Sequence, residues 1–163
     1  MLLKKVCISR WIISILSLLI LNQIVHGLCA GIGMGYYTDP QYFDVWSKLM
    51  MPQPGPPPAS FMFYSILFNL ITSFFFVFVY LIISESIPGT GLVKKGLFYG
   101  LIVFMLSGIS GALGMLLLIN LPSGLIVLWT IESLIICIIG GILVAKIAKP
   151  SEVIQTATTE NNK

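Results

Sequence analysis

Four long apolar runs, separated by polar or proline-rich segments, account for most of this chain. They cover residues 11–30, 60–83, 96–121 and 124–145. A helix crosses the apolar part of a bilayer with about 20 mostly apolar residues, so each run is long enough to span. The runs do not alternate as strands do, and backbone groups in lipid must be satisfied within one segment, which favours helix. The pattern predicts an all-α, polytopic membrane protein built as a bundle of four transmembrane helices.

The segment between the first two runs predicts a short extracytoplasmic interfacial helix. Thr38 or Asp39 can cap it, and Pro40 suits its first position. The apolar positions would share one face at the headgroup level, as in an aromatic belt, and they are Phe43, Trp46 and Met50. The five prolines of residues 52–58 then predict an extended spacer.

The charged residues fix the orientation expected for these helices. The chain is 57% apolar and only 9% charged, which is far from a soluble composition. If the runs cross a membrane, every cation except Lys48 falls on one side, and these are Lys4, Lys5, Arg10, Lys94, Lys95, Lys146, Lys149 and Lys163. Positively charged loops stay inside, so we expect a multi-pass protein of the cell membrane with both termini cytoplasmic.

Residues 1–149 are expected to form one membrane domain, and 150–163 a disordered cytoplasmic tail. The basic residues have no interleaved aromatic side chains that would indicate nucleic-acid binding, so the lipid bilayer is the expected partner. The first run has a second interpretation. The basic stretch ending at Arg10, the apolar stretch after it and the polar Asn22-Gln23 pair also describe a cleaved signal peptide.

A layer of polar residues is predicted inside the membrane. Glu132 lies about 12 Å along its helix from the extracytoplasmic end, near the bilayer centre. Counted in the same way, the other helices bring polar side chains to nearly that depth, so we predict a cluster of Glu132, His26, Asn22, Asn69, Ser107 and Ser110. Such a cluster either binds a proton or cation or ties the helices together through a neutral carboxyl.

Small residues predict the faces on which the helices pack. They recur at about four-residue spacing in three places, namely Gly27, Gly31 and Gly35; Gly96, Gly100, Ser107 and Gly111; and Ser133, Cys137, Gly141 and Ala145. This spacing is typical of closely packed membrane helices. It does not distinguish contacts within the chain from contacts with a second copy or with another membrane protein.

Enzyme and metal motifs are weak. Gly108-Ile-Ser110-Gly111 resembles the serine motif of rhomboid intramembrane proteases, with His26 as the base, so an intramembrane hydrolase is a third hypothesis. A single His and three unpaired Cys supply no ligand set, so we expect no metal and no cofactor. The chain is therefore expected not to be an enzyme.

The aromatic stretch from Tyr36 to Trp46, the Lys95-Gly96 entry to the third run and Trp129 in the fourth give the chain a family resemblance. It resembles the small four-helix prokaryotic membrane proteins classed as domains of unknown function, which implies the four-helix fold and no particular site. The leading functional hypothesis is a membrane scaffold or accessory subunit, alone or as a homo-oligomer. The alternative is a proton- or cation-coupled carrier that uses Glu132.

Overall fold

The structure is a computed structural model that describes residues 7–53 and 56–148. In these residues it is helical and contains no strand. Four helices are long and apolar enough to cross a membrane, and they are α1 (Ile8–Ile32), α3 (Ala59–Ile83), the third long helix (Leu92–Leu118) and α6 (Ser123–Ile147). Each has at least 25 residues, so each is about 37 Å long and exceeds a hydrocarbon core of about 30 Å.

The third long helix is not uniform. It consists of α4 (Leu92–Val103), a π-helical segment (Phe104–Ile109) and α5 (Ser110–Leu118). Within the π-helical segment, a methyl group on Gly108 would come within 2.5 Å of the Phe104 ring and 3.0 Å of Ser133 Oγ. Glycine at this position therefore lets the widened turn approach α6.

Prolines and glycines mark where the long helices begin. Pro58 and Pro122 have extended backbones directly before α3 and α6, where a missing N–H costs nothing. Before α4, Gly89 and Gly91 have φ angles of +118° and +91°, a region that other residues rarely adopt. The α3–α4 turn is also closed by Lys95, whose Nζ donates a hydrogen bond to the Ser84 carbonyl over 3.2 Å.

Helix α6 is central and packs against α1, α4 and α5, while α3 packs mainly against α1. The α4–α6 contact is very close, because a methyl group on Gly96 would lie 2.5 Å from the Ile142 Cα. One on Gly100 would overlap the Cys137 carbonyl, and one on Gly141 would overlap the Gly96 carbonyl. The predicted packing faces of the third and fourth runs are thus confirmed at these positions.

The two ends of the bundle differ. We call the end that carries Arg10, Lys94, Lys95 and Lys146 the basic end, and the end that carries Tyr36, Tyr37 and Trp46 the aromatic end. The apolar core lies in the half toward the basic end and includes Leu18, Val77, Tyr80, Tyr99 and Val144. The Tyr99 hydroxyl donates a hydrogen bond to the Phe76 carbonyl over 2.5 Å and so links the third long helix to α3.

The outer surface of the bundle is apolar. Leu117 and Leu118 are more than 80% exposed, and large apolar side chains such as Phe63, Phe75 and Ile24 are exposed on the other helices. Ser14, Ser73 and Glu132, by contrast, are buried. Exposed apolar side chains over most of the long helices are the arrangement that a hydrocarbon surrounding stabilises.

Two expectations need correction. The short helix after Asp39 is a 3-10 helix, Pro40–Val45, so Trp46 and Met50 lie beyond its end and share no helical face with Phe43. Asp39 does cap it, since its side chain accepts a hydrogen bond from the Gln41 N–H over 2.9 Å. A methyl group on Gly27, Gly31, Gly35 or Gly111 would meet no neighbouring atom of the described residues within 4 Å, so these glycines do not form packing faces inside the bundle.

The long helices also differ by a few residues from the apolar runs. The third begins four residues before Gly96 and ends three before Leu121, because Leu92–Lys95 continue the helix and Ile119 adopts an extended backbone. Lys4, Lys5, Lys149, Lys163 and the predicted tail 150–163 lie outside the described residues, as do residues 54 and 55 of the predicted spacer.

Candidate functional site

His26 of α1 and Glu132 of α6 meet inside the bundle. His26 Nδ1 lies 2.9 Å from Glu132 Oε1, a hydrogen-bond distance between residues that are 106 positions apart in sequence. The Glu132 side chain is 11% exposed and that of His26 is 43% exposed. The carboxyl group is therefore held in the interior while the imidazole reaches toward open space.

The His26–Glu132 pair is neutral when it holds one ionisable proton, and that proton can reside on either partner. It is an imidazolium beside a carboxylate, or a neutral imidazole beside a carboxylic acid, and both forms have no net charge. Removal of the proton leaves a net negative charge among apolar helices, which is costly unless another cation arrives. The arrangement can therefore bind a proton or exchange it for a cation.

Two cavities border this pair. The first has a volume of about 340 Å³ and extends from the pair toward the middle of the bundle, between Ser107 of the π-helical segment, Ser133 of α6 and Phe76 of α3. The second has a volume of about 290 Å³ and extends toward the aromatic end, past Asn69 and Tyr64 of α3 to Leu49. Four residues line both cavities, and these are Asn22, His26, Thr72 and Glu132.

The polar side chains around the pair bond mainly to their own helices. Thr72 donates its hydroxyl to the Phe68 carbonyl over 2.9 Å, and Ser107 donates to the Val103 carbonyl over 2.8 Å. Asn22 Nδ2 donates to the Leu18 carbonyl over 2.9 Å. Each of these bonds leaves oxygen lone pairs available, so these side chains present hydrogen-bond acceptors to the cavities, and Asn22 also keeps one N–H donor. The buried Ser73 hydroxyl, which lines the first cavity, has no partner among the described residues.

An aromatic cluster of Tyr37, Trp46 and Trp129 lies beside the pair toward the aromatic end. The ring centroids of Tyr37 and Trp46 are 5.1 Å apart, and those of Trp46 and Trp129 are 6.3 Å apart. Trp129 Nε1 donates to the Tyr37 hydroxyl over 2.8 Å. Burial raises the pKa of Tyr37, so this phenol stays neutral at physiological pH.

The structure brings together only part of the predicted cluster. His26 and Glu132 are in contact, Asn22 and Ser107 line the first cavity, and Asn69 lines the second. Ser110 is exposed and lines neither cavity, so the structure does not place it beside His26 as an intramembrane hydrolase would require. The π-helical segment is the physical reason, because its wider turn rotates the residues that follow Ser107.

Several residues at the site are not in the predicted cluster. Cys29 lies close enough to Glu132 for an interaction between the thiol and the carboxyl. Ser73, Trp129 and Cys137 line the first cavity. Cys29 follows His26 by three positions and Trp129 precedes Glu132 by three, so the helical spacing of neighbours on one face was the signal that could have identified both.

Within the described part of the chain, no three His, Cys, Asp or Glu side chains converge as a metal site would require. The site is thus a cavity pair around one imidazole and one carboxyl group, with acceptor oxygens and aromatic rings on its walls. Comparisons of the chain with protein-family models, curated proteins and solved structures found no match.

Proposed function

We propose that this protein is a multi-pass integral membrane protein of the cell membrane with both termini in the cytoplasm. The four apolar helices, the apolar exterior and the cations at the basic end support this orientation. We also propose that the first helix is retained after synthesis. Its residue Leu18 belongs to the core, and its residue His26 contacts Glu132, so cleavage after residue 29 would remove both.

Within that membrane, we propose a small proton-coupled carrier in which the His26–Glu132 pair binds the coupling proton. One observation carries this proposal: the pair forms the shared wall of two cavities, one toward the aromatic end and one toward the centre. A carboxyl group that only tied α1 to α6 would need neither cavity. The proposed role is binding and transport, with no catalytic step.

The titrating groups that face the pair come from several elements. Cys29 belongs to α1, Tyr37 to α2 (Met34–Tyr37), Tyr64 to α3 and Cys137 to α6. None of these is ordinarily charged at neutral pH, and no Lys or Arg of the described residues lines either cavity. The protonation of the site is therefore governed by His26 and Glu132 themselves.

Labelling with dicyclohexylcarbodiimide tests this proposal, since the reagent partitions into apolar sites and reacts with protonated carboxyl groups. We expect Glu132 to be labelled at low pH and less labelled as the pH rises, and His26→Gln to shift the pH range of labelling. The exposed Asp44 is the internal control, because a water-soluble carbodiimide should label it whatever the state of the pair. A folded protein in which Glu132 reacts at no pH would contradict the carrier.

An accessory subunit or homo-oligomer is the second candidate, and a separate observation favours it. Gly27 and Gly31 lie on α1 at the spacing of a helix-packing face, yet a methyl group on either would meet no atom of the described residues within 4 Å. Gly31→Leu should then dissociate a co-purifying partner or second copy without changing the thermal stability of the isolated chain. Gly114→Leu, at another open glycine, is the matched control, and equal effects of the two variants would contradict this candidate.

A further inference from the structure

The walls of the two cavities indicate what kind of substrate the proposed carrier would take, and this inference rests on the proposed function. Glu132 is the carboxyl group on these walls, and no Lys or Arg of the described chain accompanies it there. Once the pair has given up its proton, the site has a net negative charge in a low-dielectric interior. Its ligand must then be a cation, because only a cation restores neutrality.

The hydrogen-bonding character of the walls narrows the choice of cation. Thr72 and Ser107 use their hydroxyl protons on their own helices, so each offers the cavity only lone pairs. Ser73 is 2% exposed and its hydroxyl has no partner in the described part of the chain, so it can accept a bond from a ligand or donate one to it. A group with several N–H donors matches these acceptors better than a quaternary ammonium, which has none.

The apolar parts of the walls argue against an inorganic cation as the ligand. Trp129 and Phe76 line the first cavity, and Tyr64 and Phe68 line the second. Aromatic faces attract an organic ammonium and accommodate its apolar body. Volumes of about 340 and 290 Å³ lie at the lower end of the range for small-molecule sites, so the ligand is small.

We propose that the cavities bind a small primary amine in its ammonium form, in exchange for the proton of the His26–Glu132 pair. The proton leaves the pair for water, the ammonium group binds the carboxylate, and the acceptor oxygens of Thr72 and Ser107 take its other N–H groups. One positive charge enters and one leaves, so the site is neutral before and after the exchange. No covalent bond other than that to the proton is made or broken.

Equilibrium binding in detergent tests the inference, because neutral amines cross bilayers unaided and would confuse a flux assay. The probe is radiolabelled 2-phenylethylamine, and weakly buffered solutions report proton release. We expect one proton released per amine bound, and a dissociation constant that falls about tenfold per unit rise in pH while the pair is protonated. Glu132→Gln should weaken binding by about ten- to a hundredfold, the effect of losing a charge-assisted hydrogen bond.

Two variants that keep the Glu132 carboxyl group test the inference if Glu132→Gln fails to fold. Thr72→Ala and Ser107→Ala should each weaken binding of the primary amine by about two- to tenfold and leave that of tetramethylammonium unchanged. Thr130→Ala is the matched control, since Thr130 also donates its hydroxyl to its own helix, over 2.7 Å to the Ile126 carbonyl, but is not among the cavity-lining residues.

Neutral 2-phenylethanol binding as tightly as the amine would overturn the inference, as would amine binding without proton release. Proton release on addition of Na⁺ or tetramethylammonium, but not on addition of the amine, would also overturn the inference. That result would still agree with a proton-binding His26–Glu132 pair. The proposed function fails separately, when carbodiimide does not react with Glu132 at any pH.

Discussion

Substitution of Gly100 by alanine adds a methyl group at the closest contact between α4 and α6. The new carbon would overlap the Cys137 carbonyl oxygen and would lie 2.7 Å from the Cys137 carbonyl carbon and 2.9 Å from the Ile138 Cα. All three are backbone atoms of a helix, so no side-chain rotation can relieve the overlap. The two helices must separate instead.

The size of this separation sets the expected loss of stability. Ordinary contact begins near 3.4 Å, so the carbonyl carbon requires a shift of about 0.7 Å and the overlapping carbonyl oxygen requires a larger one. A gap of about 0.5–1 Å forfeits a quarter to a half of the dispersion energy of neighbouring contacts, including those at Gly96 and Gly141. Overpacking typically costs about 1–3 kcal/mol, and the rigid backbone partners place this variant at about 2–3 kcal/mol.

Thermal unfolding of the purified protein in detergent measures the effect. A loss of about 2–3 kcal/mol lowers the Tm by roughly 4–12 °C for a chain of this length. Gly114→Ala is the matched control, because Gly114 lies on the same long helix and its new methyl group would meet no atom of the described residues within 4 Å. The control should keep or raise the Tm, since alanine favours helix over glycine by up to about 1 kcal/mol. Equal Tm values for the two variants would refute the close α4–α6 contact.

Three further predictions concern the interhelical bonds and the orientation of the chain. Tyr99→Phe removes a buried hydroxyl that bonds a backbone carbonyl of α3, so it should cost about 0.5–1.5 kcal/mol in the same unfolding assay. A double-mutant cycle of His26→Gln and Glu132→Gln should give a coupling energy of about 0.6–1.7 kcal/mol, and a coupling of zero would contradict the pair. Cys7 is exposed, and a hydrogen bond from a neighbouring serine hydroxyl lowers its pKa, so it has more thiolate at neutral pH than an ordinary thiol. An impermeant maleimide should label Cys7 in inverted vesicles only, and labelling in intact cells would reverse the proposed topology.

The number of long helices and the close-packing faces of the third and fourth could be predicted from the sequence, because both depend on features that are local in the chain. The length of each apolar run predicts a spanning helix, and the four-residue spacing of Gly96 and Gly100 predicts a packing face. In the structure that face packs on Cys137 and Gly141. Gly27 and Gly31 have the same spacing, yet a methyl group on either would meet no atom of the described residues within 4 Å. Spacing identifies a face of a helix, but which neighbour covers that face depends on how the whole bundle is assembled.

The candidate site was predictable to a similar extent. Counting residues gives the depth of a side chain in a membrane helix, and His26 and Glu132, expected at nearly one depth, are in contact. Counting does not give the direction in which a side chain points. Ser110 was expected at that depth but lines neither cavity, because the π-helical segment before it changes the rotation of the helix.

Close packing and the cavities occupy different halves of the same helices, and this division follows from residue size. Toward the basic end, Gly96, Gly100 and Gly141 bring α4 and α6 into backbone contact, and Tyr99 joins α3 to them. Toward the aromatic end the third long helix widens into its π-helical segment, where Gly108 approaches α6, and Trp129 lines the space that opens. The closest backbone contacts between helices thus lie in one half of the bundle. The other half holds a polar pair beside open volume, and the proposed binding site depends on that arrangement.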